Sequence, residues 1–216
     1  MQNAYRDRVL AGTASAGLLL LQHPPTITLG SLTEAADLLV SRERLFERGV
    51  RVYETNRGGR ATYHGPGQLV GYPVLDLARL PRGTTSCPSL RGYLRSLEEA
   101  MIRLLSSLGI GADRIDGAAG VWVDGRKIVS VGVAVRRSVT THGFALNVNP
   151  DLSAFHAIRP CGFDPGVMTS IERETGAVPD WRMLEETVAG FLSETLGFDA
   201  CEFMTSADAA PPPTRC

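Results

Sequence analysis

The sequence predicts one α/β (α+β) domain, a mixed β-sheet flanked by helices. Three observations predict it. Two stretches repeat leucine at helical spacing, and several segments rich in β-branched and aromatic residues lie between turn signals. Those segments follow one another as hairpins, without the strict β-α-β alternation of a doubly wound parallel sheet. A chain of 216 residues suits a single domain with a substantial core.

Taken in order, the first apolar stretch is "VLAGTASAGLLLL", Val9 to Leu21, preceded by Arg6 and Arg8. It has the make-up of a signal peptide, with Ala14-Ser15-Ala16 as a cleavage site. The small residues come before the leucine run, the reverse of what a signal peptidase needs, and the run is too short to cross a bilayer. It is expected to form the first packed elements of a cytoplasmic protein. "TITLG" (26–30) and "VRVYET" (50–55) read as strands, with a short helix between them that runs to Arg48 and stops at Gly49.

"NRGGRATYHGPGQLVGYP" (56–73) is too rich in glycine for plain helix or strand. It is either an elaborate turn or a place where backbone approaches a ligand closely. A strand, "QLVGYPVLDL" (68–77), leads out of it, and "RLPRGTTSCPSL" (79–90) is expected to be a long surface loop. Leu94, Leu97, Met101, Leu104, Leu105 and Leu108 then mark a helix that Gly109 ends.

"VWVDGRKIVSVGVAVRR" (121–137) holds two strands around Asp124-Gly125, a strong hairpin signal, and "SVTTHGFALNVN" (138–149) is a further strand. A short apolar helix, "DLSAFHAI", leads into the loop "IRPCGFDPG" (158–166). The last helix carries Leu184, Val188, Phe191, Leu192 and Leu196, from an Asp180 cap to Gly197. The domain is expected to occupy residues 1–206, with "ADAAPPPTRC" (207–216) as a disordered tail.

Composition narrows the function. A net charge of -1 and a pI near 6.4 leave no basic footprint for nucleic acid, and 6% aromatic residues are few for a base-stacking surface. The cysteines, Cys87, Cys161, Cys201 and Cys216, form no Cys-x-x-Cys pair, and the histidines form no HExxH pattern. No metal site and no disulfide scaffold are expected. Cys87 reads as incidental and Cys201 as a small core residue.

The two strands after the hairpin each have a bulky face and a small one. From Lys127 to Val135, valines 129, 131, 133 and 135 share one face, and Ile128, Ser130, Gly132 and Ala134 share the other. In the next strand, Thr140, His142, Phe144, Leu146 and Val148 oppose Thr141, Gly143, Ala145 and Asn147. The bulky faces need a core. The small ones leave room for a closely packed helix or for a linear ligand such as an acyl chain.

Cys161 sits in a loop bracketed by proline and glycine. Thiolate is the reactive form, so a catalytic cysteine needs a neighbouring cation or base. Lys127, at the return of the hairpin, is a candidate, although it shares the register of a valine face. A lysine beside a turn is otherwise simply solvated.

"RGGRATYHGPGQLVGYP", "GVWVDGRKIVSVGVAVRR", "THGFALNVNPDLSAFHAIRPCG" and "LLLQHPPTITLG" together resemble the lipoyl(octanoyl) transferases of lipoate biosynthesis, over roughly residues 18–196. Gln22 departs from the pattern, where the family commonly has Glu. The resemblance implies a fold similar to the catalytic domains of biotin and lipoate protein ligases. It implies an acyltransferase that moves an octanoyl group from octanoyl-acyl carrier protein to a lysine of lipoyl-bearing domains. Those acceptors are the lipoyl domains of 2-oxoacid dehydrogenase complexes and the glycine cleavage H protein.

By the same resemblance, Cys161 is the acyl-thioester nucleophile and Lys127 the lysine that lowers its pKa. Substrate-binding positions fall on Arg57, Gly58, Gly59, Arg60, Ala61, Thr62, Tyr63 and His64. They fall also on Ser130, Val131 and Gly132, and on Gly143, Phe144 and Ala145. Thioester exchange is nearly isoenergetic, so no cofactor, ATP or metal is required, and backbone N–H groups of the glycine loops can stabilise an oxyanion. Two rival readings are an ATP-dependent lipoate or octanoate protein ligase, and a non-catalytic module that binds acyl carrier or lipoyl domains. A lysine at the Lys127 position also suits a ligase, where it can hold an acyl-adenylate. Cys161 in "RPCG" is what argues against that reading, while a binding module would not need both residues.

Overall fold

The computed structural model describes residues 1–80 and 89–198, apart from the side chain of Cys161. In chain order the elements are α1 (Gln2–Leu10), β1 (Gly17–Leu21), β2 (Thr26–Leu29), α2 (Arg42–Glu47), β3 (Arg51–Glu54), β4 (Thr62–His64) and β5 (Gln68–Val74). There follow α3 (Leu90–Ser107), β6 (Asp113–Ile115), β7 (Ala118–Val123), β8 (Arg126–Arg136), β9 (Val139–Asn147), α4 (Ile171–Thr175) and α5 (Trp181–Leu196). The expected loop at 79–90 lies mostly outside the described residues, as do Cys87, Cys201, Cys216 and the tail.

Local signals set the element ends. Asp180 caps α5 by accepting from the Met183 N–H at 2.9 Å, and Gly197 closes it at φ 76°. Ser89 caps α3 through the Gly92 N–H, and Gly109 follows at φ 77°. Ser41 caps α2, and Gly49 follows at φ 74°. Such capping supplies partners for end groups that no helical turn can satisfy. The apolar stretch 9–21 becomes the end of α1 and strand β1.

The α/β architecture holds, with its strands divided between two sheets. The larger has the order β1-β5-β9-β8-β7-β6 and is antiparallel throughout. The smaller has the order β3-β2-β4, and its β2–β3 pair is parallel, crossing over through α2. Asp124 and Gly125 turn β7 into β8 with φ of 46° and 74°, and both positive values suit a tight hairpin. Arg137 and Ser138 do the same between β8 and β9, at 47° and 65°, without a glycine.

One face of the large sheet packs against α3 and α5. Val129, Val133, Phe144 and Leu146 meet Leu97, Met101, Leu104, Val188 and Leu192 there. The small positions share the opposite face, because Ser130 pairs with Ala145 and Gly132 with Gly143. α1 covers one end of that face through Val9, Val74 and Val139. The small sheet lies over the rest, with Gly58 donating its N–H to the Val133 carbonyl at 2.8 Å. Of the two occupants allowed for the small face, a helix covers one end, and a cavity lies over the middle.

His142 departs from the expected alternation. Its φ is 59°, which rotates its side chain off the core face. Its Nε2 meets Asn56 Oδ1 at 2.9 Å, and its ring stands edge-on to Tyr72. It joins the cavity instead of the hydrophobic core.

Candidate active site: a slot between two sheets and a buried lysine

A cavity of about 340 Å³ separates the small face of the large sheet from β2 and β4. Its size is at the lower end for small-molecule sites. Ser130, Gly132, Gly143 and Ala145 form one wall, and Thr26, Thr28, Thr62 and His64 the other. Val131 and Phe144 also reach it, so all six positions expected on β8 and β9 come together.

Alternation along β4 divides the expected 57–64 stretch. Thr62 and His64 face the slot, while Ala61 and Tyr63 belong to a second core with Ile27, Leu45 and Phe155. Arg57 and Gly59 border the slot, and Gly58 buttresses it, since a Cβ on Gly132 would come within 2.9 Å of the Gly58 carbonyl. Arg60 points elsewhere. Its Nε and Nη2 donate to Asp37 at 2.9 and 2.7 Å, and Nη2 lies 2.9 Å from Glu34.

Asp37 is fully buried and reaches the cysteine loop. Its carbonyl accepts the Arg159 N–H at 2.8 Å, and Leu38 bridges to Ile158. Burial pushes the Asp37 carboxyl up, but hydrogen bonds from Arg60 and the Glu34 N–H outweigh it and hold the group below the usual range. Arg60 also lies against the next turn, 3.1 Å from where a Gly162 Cβ would be. Arg60 and Asp37 thus anchor the tight turn Pro160–Gly162 that carries Cys161.

The slot is lined mainly by apolar surface, with the Arg57 guanidinium at its border and uncharged rings along its walls. Burial lowers the His64 pKa to about 3 and that of His142 to about 4, and lowers that of His23 as well. Burial raises Tyr72 to about 12, and its hydroxyl meets His23 Nε2 at 2.7 Å. Near neutral pH these rings are uncharged. Uncharged rings and small side chains along the walls suit an uncharged chain, and the charge of Arg57 stands at the border.

A continuous run of hydrogen bonds connects the slot to Lys127. The Arg57 guanidinium donates to Thr28 Oγ1 at 2.9 Å, which leaves the Thr28 hydroxyl to donate to His64 Nε2 at 3.3 Å. His64 Nδ1 then donates to Gln68 Oε1 at 2.7 Å, a tautomer assigned from its partners. Gln68 Nε2 donates to Asn147 Oδ1 at 2.9 Å, and Asn147 Nδ2 to the Thr169 carbonyl at 2.9 Å. The Thr169 N–H ends on the Lys127 carbonyl at 3.0 Å. Gln68, Asn147 and Thr169 are all buried; Gln68 and Asn147 lie within the segments that carry the family resemblance, whereas Thr169 lies outside them.

Lys127 is 1% exposed, which overturns the solvated alternative. Its neighbourhood follows from a register shift: Val121 pairs with Val129 but Trp122 with Lys127, so β8 bulges at Ile128. Gly120 has φ 122°, and a Cβ there would lie 2.7 Å from Lys127 Cε. Glu98 fixes Gly120 by accepting its N–H at 3.0 Å. The Lys127 ammonium stands 5.1 Å from the centre of the Trp122 ring and 5.9 Å from that of Phe163. Among the described residues no group of three or more His, Cys, Asp or Glu is arranged to hold a metal. No described helix is long and apolar enough to cross a membrane.

Gln22, where the sequence pattern departs, accepts the Gly67 N–H through Oε1 at 2.8 Å. A glutamate supplies the same acceptor, so the exchange preserves the turn. Gly67 itself has φ 84°, and a Cβ would lie 2.6 Å from the Asn149 carbonyl oxygen.

Comparison with known proteins agrees with this architecture. The lipoyl protein ligase A/B catalytic domain matches residues 1–192. An octanoyltransferase of Geobacter metallireducens is 43% identical over 203 residues, 94% of this chain and 89% of its own length. An octanoyltransferase of Acidobacterium capsulatum is 46% identical over 171 residues, covering 76% and 70%. Among solved structures, lipoate-protein ligase A bound with ATP superposes with a TM-score of 0.74 at 18% identity, covering 95% of this chain and 84% of its own. A bi-partite lipoate protein ligase from Thermoplasma acidophilum gives 0.69 at 19%, covering 96% and 84%. At such identities the superpositions establish the fold, whereas the sequence matches establish the family. The chain belongs to the octanoyltransferases of the lipoyl protein ligase A/B catalytic-domain family.

Proposed function

We propose that this octanoyltransferase accepts its acyl group from octanoyl-acyl carrier protein onto Cys161 and passes it to a lysine of a lipoyl-bearing domain. The observation that carries this reading is the placement of Lys127. Its ammonium is buried, and it faces the ring of Phe163, two residues from Cys161 in the same loop. A cation held there favours the thiolate over the thiol.

The Cys161 thiolate adds to the thioester carbonyl of the donor. Collapse breaks the bond to the carrier sulfur, and the carrier thiolate takes up a proton as it leaves. The acceptor's neutral amine then adds to the Cys161 thioester. The C–S bond breaks, an amide forms, and the amine's surplus proton returns to the cysteine–lysine pair. An amide is more stable than a thioester, so the second step drives the sequence forward without ATP.

In this reading, Ser130, Gly132, Gly143 and Ala145 are the floor under the alkyl chain, and Thr62 and His64 the facing wall. Arg57, Gly58 and Gly59 close over its polar end. Arg60, Ala61 and Tyr63 support the slot from behind. The acceptors are lipoyl domains of 2-oxoacid dehydrogenases and the glycine cleavage H protein, and the reaction belongs to the cytoplasm. The catalytic unit spans 1–206.

The test is transfer in the absence of nucleotide. The protein is incubated with octanoyl-acyl carrier protein and an apo lipoyl domain, and each is weighed by mass spectrometry. Octanoylation of the lipoyl domain without ATP is expected. Transfer from free octanoate that requires ATP would identify a ligase instead.

A further inference from the structure

Trp122 and Phe163 meet edge to face, with ring centres 5.2 Å apart and planes at 76°, and both lie within 6 Å of the Lys127 ammonium. Trp122 comes from β7 and is almost fully buried, while Phe163 comes from the cysteine loop and is 37% exposed. The buried ammonium gives both rings a partner, because a cation near an aromatic face is attracted to it most strongly where water is excluded.

We infer that Trp122 and Phe163 are positioning residues that form an aromatic seat for the Lys127 ammonium and hold the Cys161 loop to it. The seat has three sides. Gly120 gives the aliphatic end of the lysine a place that no other residue leaves open, and the two rings cover the charge. Phe163 is the part carried by the reactive loop, so the loop docks when its ring docks. Charged groups also stand on the surrounding elements. Glu98 of α3 binds Arg95, Arg114 and the Gly120 N–H, and Glu174 of α4 binds Arg126 and Thr169. Arg159 and Asp164 flank the turn, and Asp164 accepts the Gly166 N–H. The inference rests on the assignment of Cys161 and Lys127 as the reactive pair.

The experiment follows the rate at which iodoacetamide alkylates Cys161 against pH, read by mass spectrometry of the Cys161 peptide. Phe163→Leu keeps most of its apolar bulk and removes the π face, while Trp122→Leu removes the π face together with part of the bulk and the indole bond to the Ala118 carbonyl. Each is expected to slow alkylation at neutral pH about ten-fold and to move the midpoint up by about one pH unit. Phe163→Tyr keeps the ring and should restore the original midpoint, which a purely structural role for bulk would not require.

In a Lys127→Ala background, Phe163→Leu should add nothing further, because the two act through one charge. Phe163 is partly exposed, so its variants are expected to fold even if those of Trp122 do not. An unchanged midpoint in Phe163→Leu, beside a raised one in Lys127→Ala, overturns the seat and leaves the reactive pair standing. An unchanged midpoint in Lys127→Ala overturns both.

Discussion

Gln68→Leu isolates the hydrogen-bond chain between the slot and Lys127. The carboxamide is 1% exposed and makes three bonds: from His64 Nδ1 at 2.7 Å, to the Tyr63 carbonyl at 3.1 Å and to Asn147 Oδ1 at 2.9 Å. Leucine fills nearly the same volume, so a cavity contributes little. What remains is three buried polar groups without this partner. At about 1–3 kcal/mol for each orphaned group, the expected loss is about 3–9 kcal/mol. That is a large part of a domain's usual stability of about 5–15 kcal/mol.

The assay is urea unfolding of both proteins, followed by tryptophan fluorescence. Gln68→Glu is the sharper companion. A carboxylate still accepts from His64, but it sets an oxygen against the Tyr63 carbonyl and Asn147 Oδ1. It should be as harmful as leucine despite its near-identical shape. A loss below about 1 kcal/mol in both variants would refute the claim that Gln68 is a structural link in the hydrogen-bond run between the slot and Lys127.

Three further outcomes follow from the geometry. Gly120→Ala drives a methyl into the Val129 carbonyl and to 2.7 Å from Lys127 Cε at φ 122°, so transfer should fall at least a hundred-fold; activity near wild type would show that the lysine has another place to sit. Asp37→Asn weakens the double bond from Arg60, and it should accelerate proteolysis within 157–163 and cost about 1–3 kcal/mol, measured by limited digestion and urea unfolding. His64 has its folded-state pKa near 3, below the ordinary 6.5, so the unfolded chain binds the proton first as pH falls. Its contribution is complete above about pH 6.5 and is lost toward pH 3, by up to about 5 kcal/mol. Unfolding titrations should show that slope in the wild type and a shallower one in His64→Gln.

Much of this site was legible from residue order, for identifiable reasons. Helix ends such as Asp180 and Gly197 are set by local chemistry, and so is the Asp124-Gly125 turn. The small positions on β8 and β9 were visible because side-chain direction alternates along a strand, and their pairing put them on one wall. Alternation assumes a negative φ, so it misplaced His142, whose φ is 59°. Arg137 and Ser138 form a hairpin turn without glycine or asparagine, and β4 is a three-residue strand inside a glycine-rich run. The division into two sheets depends on which strands pair at long range, which spacing does not encode. Gln68 and Asn147 lie in segments that carry the family resemblance, but their hydrogen-bonded row with Thr169 forms only on folding.

The most direct test of the central claim is the intact mass of the protein after incubation with octanoyl-acyl carrier protein alone. One octanoyl group should appear, mapped by peptide fragmentation to Cys161, released by hydroxylamine and absent in Cys161→Ala. In Lys127→Ala it should form far more slowly. An adduct that persists in Cys161→Ala on another residue would contradict the account, and so would transfer to the lipoyl domain at wild-type rate without Cys161.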